Sequence, residues 1–333
     1  MARYRAGIIG CGGIGRVHAA SYLSIDGVEV AACSDINQAN LNAFSDRYHI
    51  AQRYSDYVEM LEAGGLDFVS VCTWPKTHRQ ITIRAARSGV KGIMCEKPLA
   101  TNLGEADEMI GVCLRSGVVL AVGHEHRFDP QSMKAREVIE SGGIGELGLI
   151  WGHCSLDLLN NGSHVVDLVN YLNMDVDATW VMGQIDRRRK RFGAANHPDM
   201  YVEDMALGHI RYRNGIEAVV ELGEFAPQDF RFRVIGEGGQ IDVNPPGSLL
   251  KVANGNGVRY PELRNADPFR AEMLELIKAF EEGRDHLSSG SRGRAALEII
   301  MAIFQSSRKR ILVELPLEIK GNPLEEMIDE GII

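Results

Sequence analysis

Gly10-Cys11-Gly12-Gly13-Ile14-Gly15 lies between an apolar run, Tyr4 to Ile9, and a helix-like stretch, Arg16 to Leu23. A strand that breaks at glycines and turns at once into a helix leaves few folds open. Gly10 permits the tight turn, Gly12 and its neighbours Gly13 and Ile14 bring backbone close to a pyrophosphate, and Gly15 lets the helix pack on its strand. The helix start offers unpaired N–H groups and a positive dipole end to the phosphates. Asp35 stands twenty residues past Gly15, just after a second apolar run, Val28 to Cys33. A carboxylate there accepts hydrogen bonds from the adenosine ribose hydroxyls and repels a ribose phosphate. The expected cofactor is therefore NAD, with NADP disfavoured. The nearest basic residue after Asp35 is Arg47, too far along the chain to reverse that preference by local geometry.

The pattern around this turn extends to about residue 123. Strand-like pieces at Arg5 to Ile9, Val28 to Ser34, Leu66 to Cys72, Gly92 to Cys95 and Val118 to Val122 alternate with helical patterns. The helical patterns run over Arg16 to Leu23, Gln38 to Tyr48, Tyr54 to Glu62, Thr77 to Ser88 and Leu103 to Arg115. Such alternation predicts an α/β, doubly wound parallel sheet of Rossmann type, with the strand ends along one rim. Beyond residue 123 the rhythm changes. After a helix over Pro130 to Ser141 come strand candidates at Leu147 to Ser155, Thr179 to Asp186, Met205 to Tyr212, Glu217 to Leu222, Phe230 to Ile235 and Gln240 to Val243. Hairpin-type turns appear at Arg213-Asn214-Gly215 and Gly236-Glu237-Gly238-Gly239. A helix near His164 to Leu172, two more over Pro268 to Glu282 and Ser291 to Arg310, and a strand at Ile311 to Leu315 complete the chain. The expected organisation is an NAD-binding domain over 1–123 and an α+β domain with a mainly antiparallel sheet over 124–333, the latter binding substrate and joining subunits.

Charge and cysteine usage narrow the function classes. With 36 basic and 45 acidic residues, a net charge of −9, the chain is poorly suited to nucleic acid or an anionic membrane. No run approaches the ~18 apolar residues of a membrane span, and the short apolar segment after Arg3 and Arg5 is too brief for a signal peptide. The one basic run, Arg187-Arg188-Arg189-Lys190-Arg191, reads as a solvated loop or an anion site. The six cysteines show no metal-ligand spacing and several sit in apolar strands, which suits a reducing, cytoplasmic setting and predicts no metal.

Three stretches fall where the parallel strands should end. Thr73-Trp74-Pro75 with His78 forms one rim loop, in which His78 serves either the cofactor or the fold. Glu96-Lys97-Pro98 forms the second, where the proline constrains the direction of Lys97. A lysine held between a buried strand and a proline is placed to hydrogen-bond a reacting hydroxyl or ketone. The third runs through Arg127, a ligand for an anionic or polyhydroxylated substrate or else a structural partner of Glu96. In the second domain, Asp157 to Asp167 contains Asn160, Ser163 and His164. Ser163 is expected to cap a helix opening at His164, which would favour a neutral imidazole fit to act as general base.

Together, the glycine turn with its distant acid, the Pro-x-x-His stretch, Glu-Lys-Pro after a strand and Gly-x-His-x-x-Asp-like segment of the second domain resemble the glucose-fructose oxidoreductase, inositol dehydrogenase and MocA family. Val202-Glu203-Asp204, the Gly236 to Gly239 turn and Val313-Glu314-Leu315-Pro316 extend the likeness over nearly the whole chain. The resemblance implies an NAD-dependent dehydrogenase that oxidises a secondary alcohol of a sugar, sugar derivative or cyclitol, with Lys97 and His164 flanking the reacting carbon. It also implies a homo-oligomer, a dimer or tetramer. Many members carry an aspartate four residues before the histidine, where this chain has Asn160; an amide orients an imidazole without stabilising its charge. That shifts proton handling toward Lys97, with Asp157 available if its loop folds back. Only eight residues separate Ser155 from His164, a short loop that predicts an open pocket suited to a bulky glycoside or nucleotide sugar. Two other readings stay open: an NAD-dependent glycoside hydrolase that transiently oxidises its sugar, and a nucleotide-binding protein without catalysis.

Overall fold

In the computed structural model, residues 3–189, 192–194, 197–226 and 228–333 are described, and they form two compact units. The first comprises Met1–Thr101, Glu105–Glu125 and Asp267–Gly293; the second comprises Asn102–Gly104, His126–Ala266 and Arg294–Ile333.

The first unit opens with β1 (Tyr4–Ile9), α1 (Gly13–Leu23), β2 (Val28–Ser34), α2 (Gln38–Tyr48), β3 (Gln52–Tyr54) and α3 (Tyr57–Ala63). It continues with β4 (Phe68–Val71), α4 (Pro75–Ala86), β5 (Gly92–Cys95), α5 (Leu103–Ser116) and β6 (Val119–Val122). All strand pairs are parallel and the order is β3-β2-β1-β4-β5-β6. The chain therefore winds outward in both directions from β1 and β4, and their ends form the switch point where such sheets bind ligands. Strands β4 and β5 are buried at every residue, which is why they read as continuous apolar runs. Strand β3, Gln-Arg-Tyr, escaped the sequence reading because a short, largely exposed edge strand has no apolar signature.

The second unit begins with a short 3-10 turn, Glu125–Phe128, shared at its start with the first, then α6 (Pro130–Glu140), β7 (Leu147–Cys154), α7 (Asn161–Leu172) and β8 (Ala178–Asp186). A ribbon of β9 (Phe192–Ala194) and β10 (His197–Tyr201) precedes β11 (Met205–Tyr212), β12 (Glu217–Gly223), β13 (Arg231–Gly236), β14 (Gly239–Val243), β15 (Leu250–Asn254) and β16 (Gly257–Arg259). After α8 (Pro268–Glu282), which is part of the first unit, come α9 (Gly290–Lys309), β17 (Val313–Glu314) and α10 (Pro323–Asp329). The large sheet runs β16-β15-β14-β13-β7-β12-β11-β8-β17 and is antiparallel except for the parallel pair β7 and β12. Helix α7 packs on β7 and β12, so the residues at its start are carried by the centre of that sheet.

Residues 267–293, expected in the second domain, are grouped with the first unit. Helix α8 buries Met273, Leu276 and Ile277 in the core that Tyr4, Tyr22 and Phe68 build around β1 and α1. Of the basic run, Lys190 and Arg191 lie outside the described residues. Arg188 and Arg189 pair with Asp186 and Glu224 at 2.6 Å each, and Arg187 donates to the Val202 carbonyl.

Candidate active site

In the first unit the glycine turn has the geometry a dinucleotide needs. Gly10 adopts φ +98, and a Cβ there would lie 2.5 Å from the Cys72 carbonyl oxygen at the neighbouring strand end. A Cβ on Gly15 would lie 2.0 Å from the Gly10 carbonyl oxygen, so any larger residue pushes α1 off its strand. Gly12 and Gly13 are different: nothing stands within 4 Å of a Cβ built on either. Their openness leaves the N-terminus of α1, whose first turn holds no acidic residue, accessible to phosphate. Asp35 accepts hydrogen bonds from the Cys11 N–H (2.8 Å) and the Asn37 N–H (2.7 Å), one on each oxygen. Each carboxylate oxygen has a second lone pair, so Asp35 is fixed in place with acceptor capacity to spare for ribose hydroxyls. These residues fit NAD.

The two other rim loops follow β4 and β5. Trp74, about half exposed, sits at the N-cap of α4 with Pro75 at its first position, and Thr73 Oγ1 accepts from Thr77 at 2.7 Å. His78 is fully buried, with Nδ1 3.0 Å from the Pro98 carbonyl and Nε2 3.0 Å from the Thr73 carbonyl. Burial holds its pKa below the ordinary imidazole range despite those acceptors. His78 thus braces the two loops against each other, and its nitrogens are turned to backbone where a cofactor contact was expected. Lys97 is half-buried and follows Glu96, whose carboxylate turns inward to His18 Nε2 at 2.9 Å. The Lys97-Pro98 bond is cis. Parallel strands bring the loops after β1, β4 and β5 to one rim.

The second unit holds the other expected residues. Helix α7 begins at Asn161, with Asn160 as its N-cap. The expectation that Ser163 caps a helix opening at His164 is therefore corrected: the Ser163 hydroxyl lies inside the first turn and donates to the Asn160 carbonyl at 2.7 Å. His164 is the fourth helical residue, buried, with its ring edge-on to His126 (centroids 4.8 Å) and to Phe230 (5.5 Å). Asp129 lies 2.6 Å from His126 Nδ1. Within the loop before α7 the Asp157 carboxylate accepts from the Asn160 N–H at 3.0 Å.

Beneath that loop lies a group the sequence offered only as a family landmark. Glu203 is buried and accepts from the Leu158 N–H at 2.5 Å. Burial, and then the neighbouring charge of Asp157, push its pKa up to about 8. Arg127 also has an unforeseen setting. Asp167 grips it in bidentate fashion at 2.7 and 2.8 Å, and Asp175 adds a contact at 2.8 Å. Burial would lower the guanidinium's pKa, but Asp167 and then Asp175 outweigh it and raise it. A fully buried cation with two carboxylates is a structural ion cluster that ties the 3-10 turn to α7, and the geometry gives Arg127 no place as a substrate ligand.

A doubly wound sheet with a glycine cradle, a carboxylate just past its second strand and a lysine on the same rim defines a dinucleotide-dependent oxidoreductase. Residues 4–124 match the oxidoreductase family with NAD-binding Rossmann fold, and residues 157–242 match the C-terminal domain of the same GFO/IDH/MocA family. The chain belongs to that family. It is 27% identical to myo-inositol 2-dehydrogenase of Thermotoga maritima, across 93% of this chain and 98% of that protein. It is likewise 27% identical to D-apiose dehydrogenase of Paraburkholderia graminis, across 94% of this chain and 90% of that one. Levoglucosan dehydrogenase in complex with NADH and L-sorbose shares the fold, with a TM-score of 0.85 at 22% identity over 95% of this chain and all of that one. No helix among the described residues is long and apolar enough to cross a membrane.

Proposed function

We propose that this protein oxidises a secondary alcohol of a sugar, sugar derivative or cyclitol with NAD. The observation that carries the reading is the open glycine cradle and Lys97 on one rim of a single sheet. Gly10, Gly12, Gly13, Ile14, Gly15 and Asp35 hold the dinucleotide, with Thr73, Trp74, Pro75 and Glu96 lining the same rim. NAD supplies the hydride acceptor when bound. Lys97 receives the hydroxyl proton through Nζ, and His164 shares that task, its ring held by His126 and Phe230. Asn160 and Asp157 orient the segment that carries His164 and contact substrate hydroxyls. The names of the relatives support a polyhydroxylated substrate. A screen of inositols, sugars and glycosides by NADH absorbance tests the proposal, and no turnover of any polyol would overturn it. Release of free NADH separates a dehydrogenase from a hydrolase that recycles bound cofactor. Asp35→Ser should raise KM for NAD about tenfold and narrow the gap to NADP.

We further infer a cytoplasmic homo-oligomer, dimer or tetramer, built on the face of the large sheet opposite α7. Trp151, Met182, Met205 and Leu207 are 41–50% exposed there. Register aligns Trp151 with Val219, Val219 with His209, and His209 with Met182, a continuous row across four strands. A second copy related by a two-fold axis can cover such a row with its own. The six free, buried cysteines support a reducing compartment. Light scattering of wild type and Leu207→Glu checks the interface, which predicts a smaller species for the variant.

A further inference from the structure

We propose that His18 is a positioning residue for Lys97, acting through Glu96. This inference rests on the catalytic reading of Lys97 given above.

His18 stands on α1, the helix whose start forms the phosphate cradle, and is fully buried. Its Nε2 lies 2.9 Å from Glu96 Oε1 and its Nδ1 lies 3.3 Å from Cys72 Sγ. The other carboxylate oxygen, Glu96 Oε2, accepts the backbone N–H of Lys97 at 3.2 Å. The carboxylate therefore bridges a helix of the cradle and the peptide unit of the lysine itself. Room for it is provided by Gly123, at the end of β6, where a Cβ would lie 2.8 Å from Oε1 and 3.4 Å from Oε2. Glu96 N–H is bonded to the Val71 carbonyl and Gly123 N–H to the Cys95 carbonyl, so the backbone on both sides of the carboxylate is tied to the neighbouring strand ends.

The direction of the hydrogen bonds follows from the partners. Burial alone would raise the pKa of Glu96, but His18, then Lys97 and His78, bring it below the ordinary glutamate range, so the carboxylate is ionised. An ionised carboxylate only accepts, so His18 must carry its hydrogen on Nε2. At Nδ1 the Cys72 thiol is the complementary donor. Thiol, imidazole and carboxylate in this sequence have the connectivity of a cysteine nucleophile. Burial, and then the Glu96 and Cys95 charges, hold the Cys72 pKa well above its ordinary range, which leaves it a donor and not a nucleophile. The groups facing Glu96 are thus His18 from α1, Cys72 from the end of β4, Cys95 from β5, His78 from α4 and Lys97 beside it.

A helix that feels the phosphates and a lysine that handles the proton are in this way fixed to one another through two side chains. A hydrogen-bonded carboxylate on the lysine's own N–H defines the direction in which that residue leaves the sheet, and a misplacement of about 1 Å costs on the order of 10²-fold in rate.

The experiment compares His18→Leu, which has no donor, with His18→Gln, whose amide can donate to Glu96. His18→Leu is expected to lower kcat at least tenfold while the NAD dissociation constant changes less than about threefold. Its kcat should also lose activity at higher pH on the acidic side, as Glu96 takes up a proton more readily. His18→Gln is expected to recover most of kcat. A His18→Leu enzyme with kcat within twofold of wild type, or His18→Gln as impaired as His18→Leu, would overturn the proposal. Independently of any variant, 15N NMR of the histidine side chains in the unliganded protein should show His18 protonated on Nε2; a ring carrying hydrogen on Nδ1 alone would also overturn it. Lys97→Met, assayed beside these, keeps the two claims apart: full activity there refutes the role of Lys97, whatever the His18 variants do.

Discussion

The two units hold their candidate functional groups by different means. In the first, backbone geometry holds the cofactor cradle and its rim, with the Glu96 carboxylate on the Lys97 N–H as the exception: Gly10 and Gly15 allow close approach, Asp35 is pinned by two N–H groups, and His78 braces carbonyls. In the second, buried ionisable side chains do it. Arg127 is clamped by Asp167 and Asp175, and the loop before α7 is held by Asp157 and Glu203. A frame made of backbone is insensitive to pH and intolerant of an added Cβ. A frame made of buried ionisable side chains fails when one partner is lost or titrated.

The largest expected effect lies in the first unit. Lys97→Met should lower kcat by about 10²- to 10⁴-fold, the usual contribution of acid–base catalysis, with NAD affinity nearly unchanged by fluorescence titration. Next comes the charged frame of the second unit. Arg127→Met strands two buried carboxylates and should cost about 3–5 kcal/mol in stability, read by thermal or urea unfolding. An unaltered melting temperature with a raised substrate KM would instead make Arg127 a substrate ligand and break the comparison.

Two glycines sharpen it further. Gly15→Ala drives a methyl group into the Gly10 carbonyl and should destabilise by about 1–3 kcal/mol. Gly12→Ala meets open space, so it should keep its melting temperature and weaken NAD binding alone. A pH slope tests the charged frame by another route. Folded Glu203 keeps its proton up to about pH 8, whereas an ordinary glutamate loses it near 4.5. Between those values the folded state binds more protons than the unfolded chain, so this group's contribution to stability falls as pH rises, by at most about 1.4 kcal/mol per unit. Glu203→Gln should flatten that slope in unfolding curves taken from pH 5 to 8.

Much of the fold was legible because its signals are local. The bounds of β2, α2, β5 and β11 agree with the sequence reading to the residue, and β1 and α5 to within one. The misses have physical reasons. Strand β3 lies at an edge and is polar, β15 and β16 are short hairpin strands, and α10 is a single capped turn or two near the end of the chain. The start of α7 was read three residues late because Ser163 looked like a cap, while Asn160 occupies that position.

The sequence by itself determined the cradle, its acid and the lysine loop, since each is fixed by neighbours a few residues away or by a strand–turn–helix rhythm of set period. Only the tertiary structure decided who pairs with whom. Glu96 meets His18 across 78 positions, Leu158 meets Glu203 across 45, and Arg127 meets Asp167 across 40. Spacing along a chain carries information about helix faces and strand faces, and none about which distant side chain closes a buried hydrogen bond. That choice is made when the elements pack and every buried charge must find a partner.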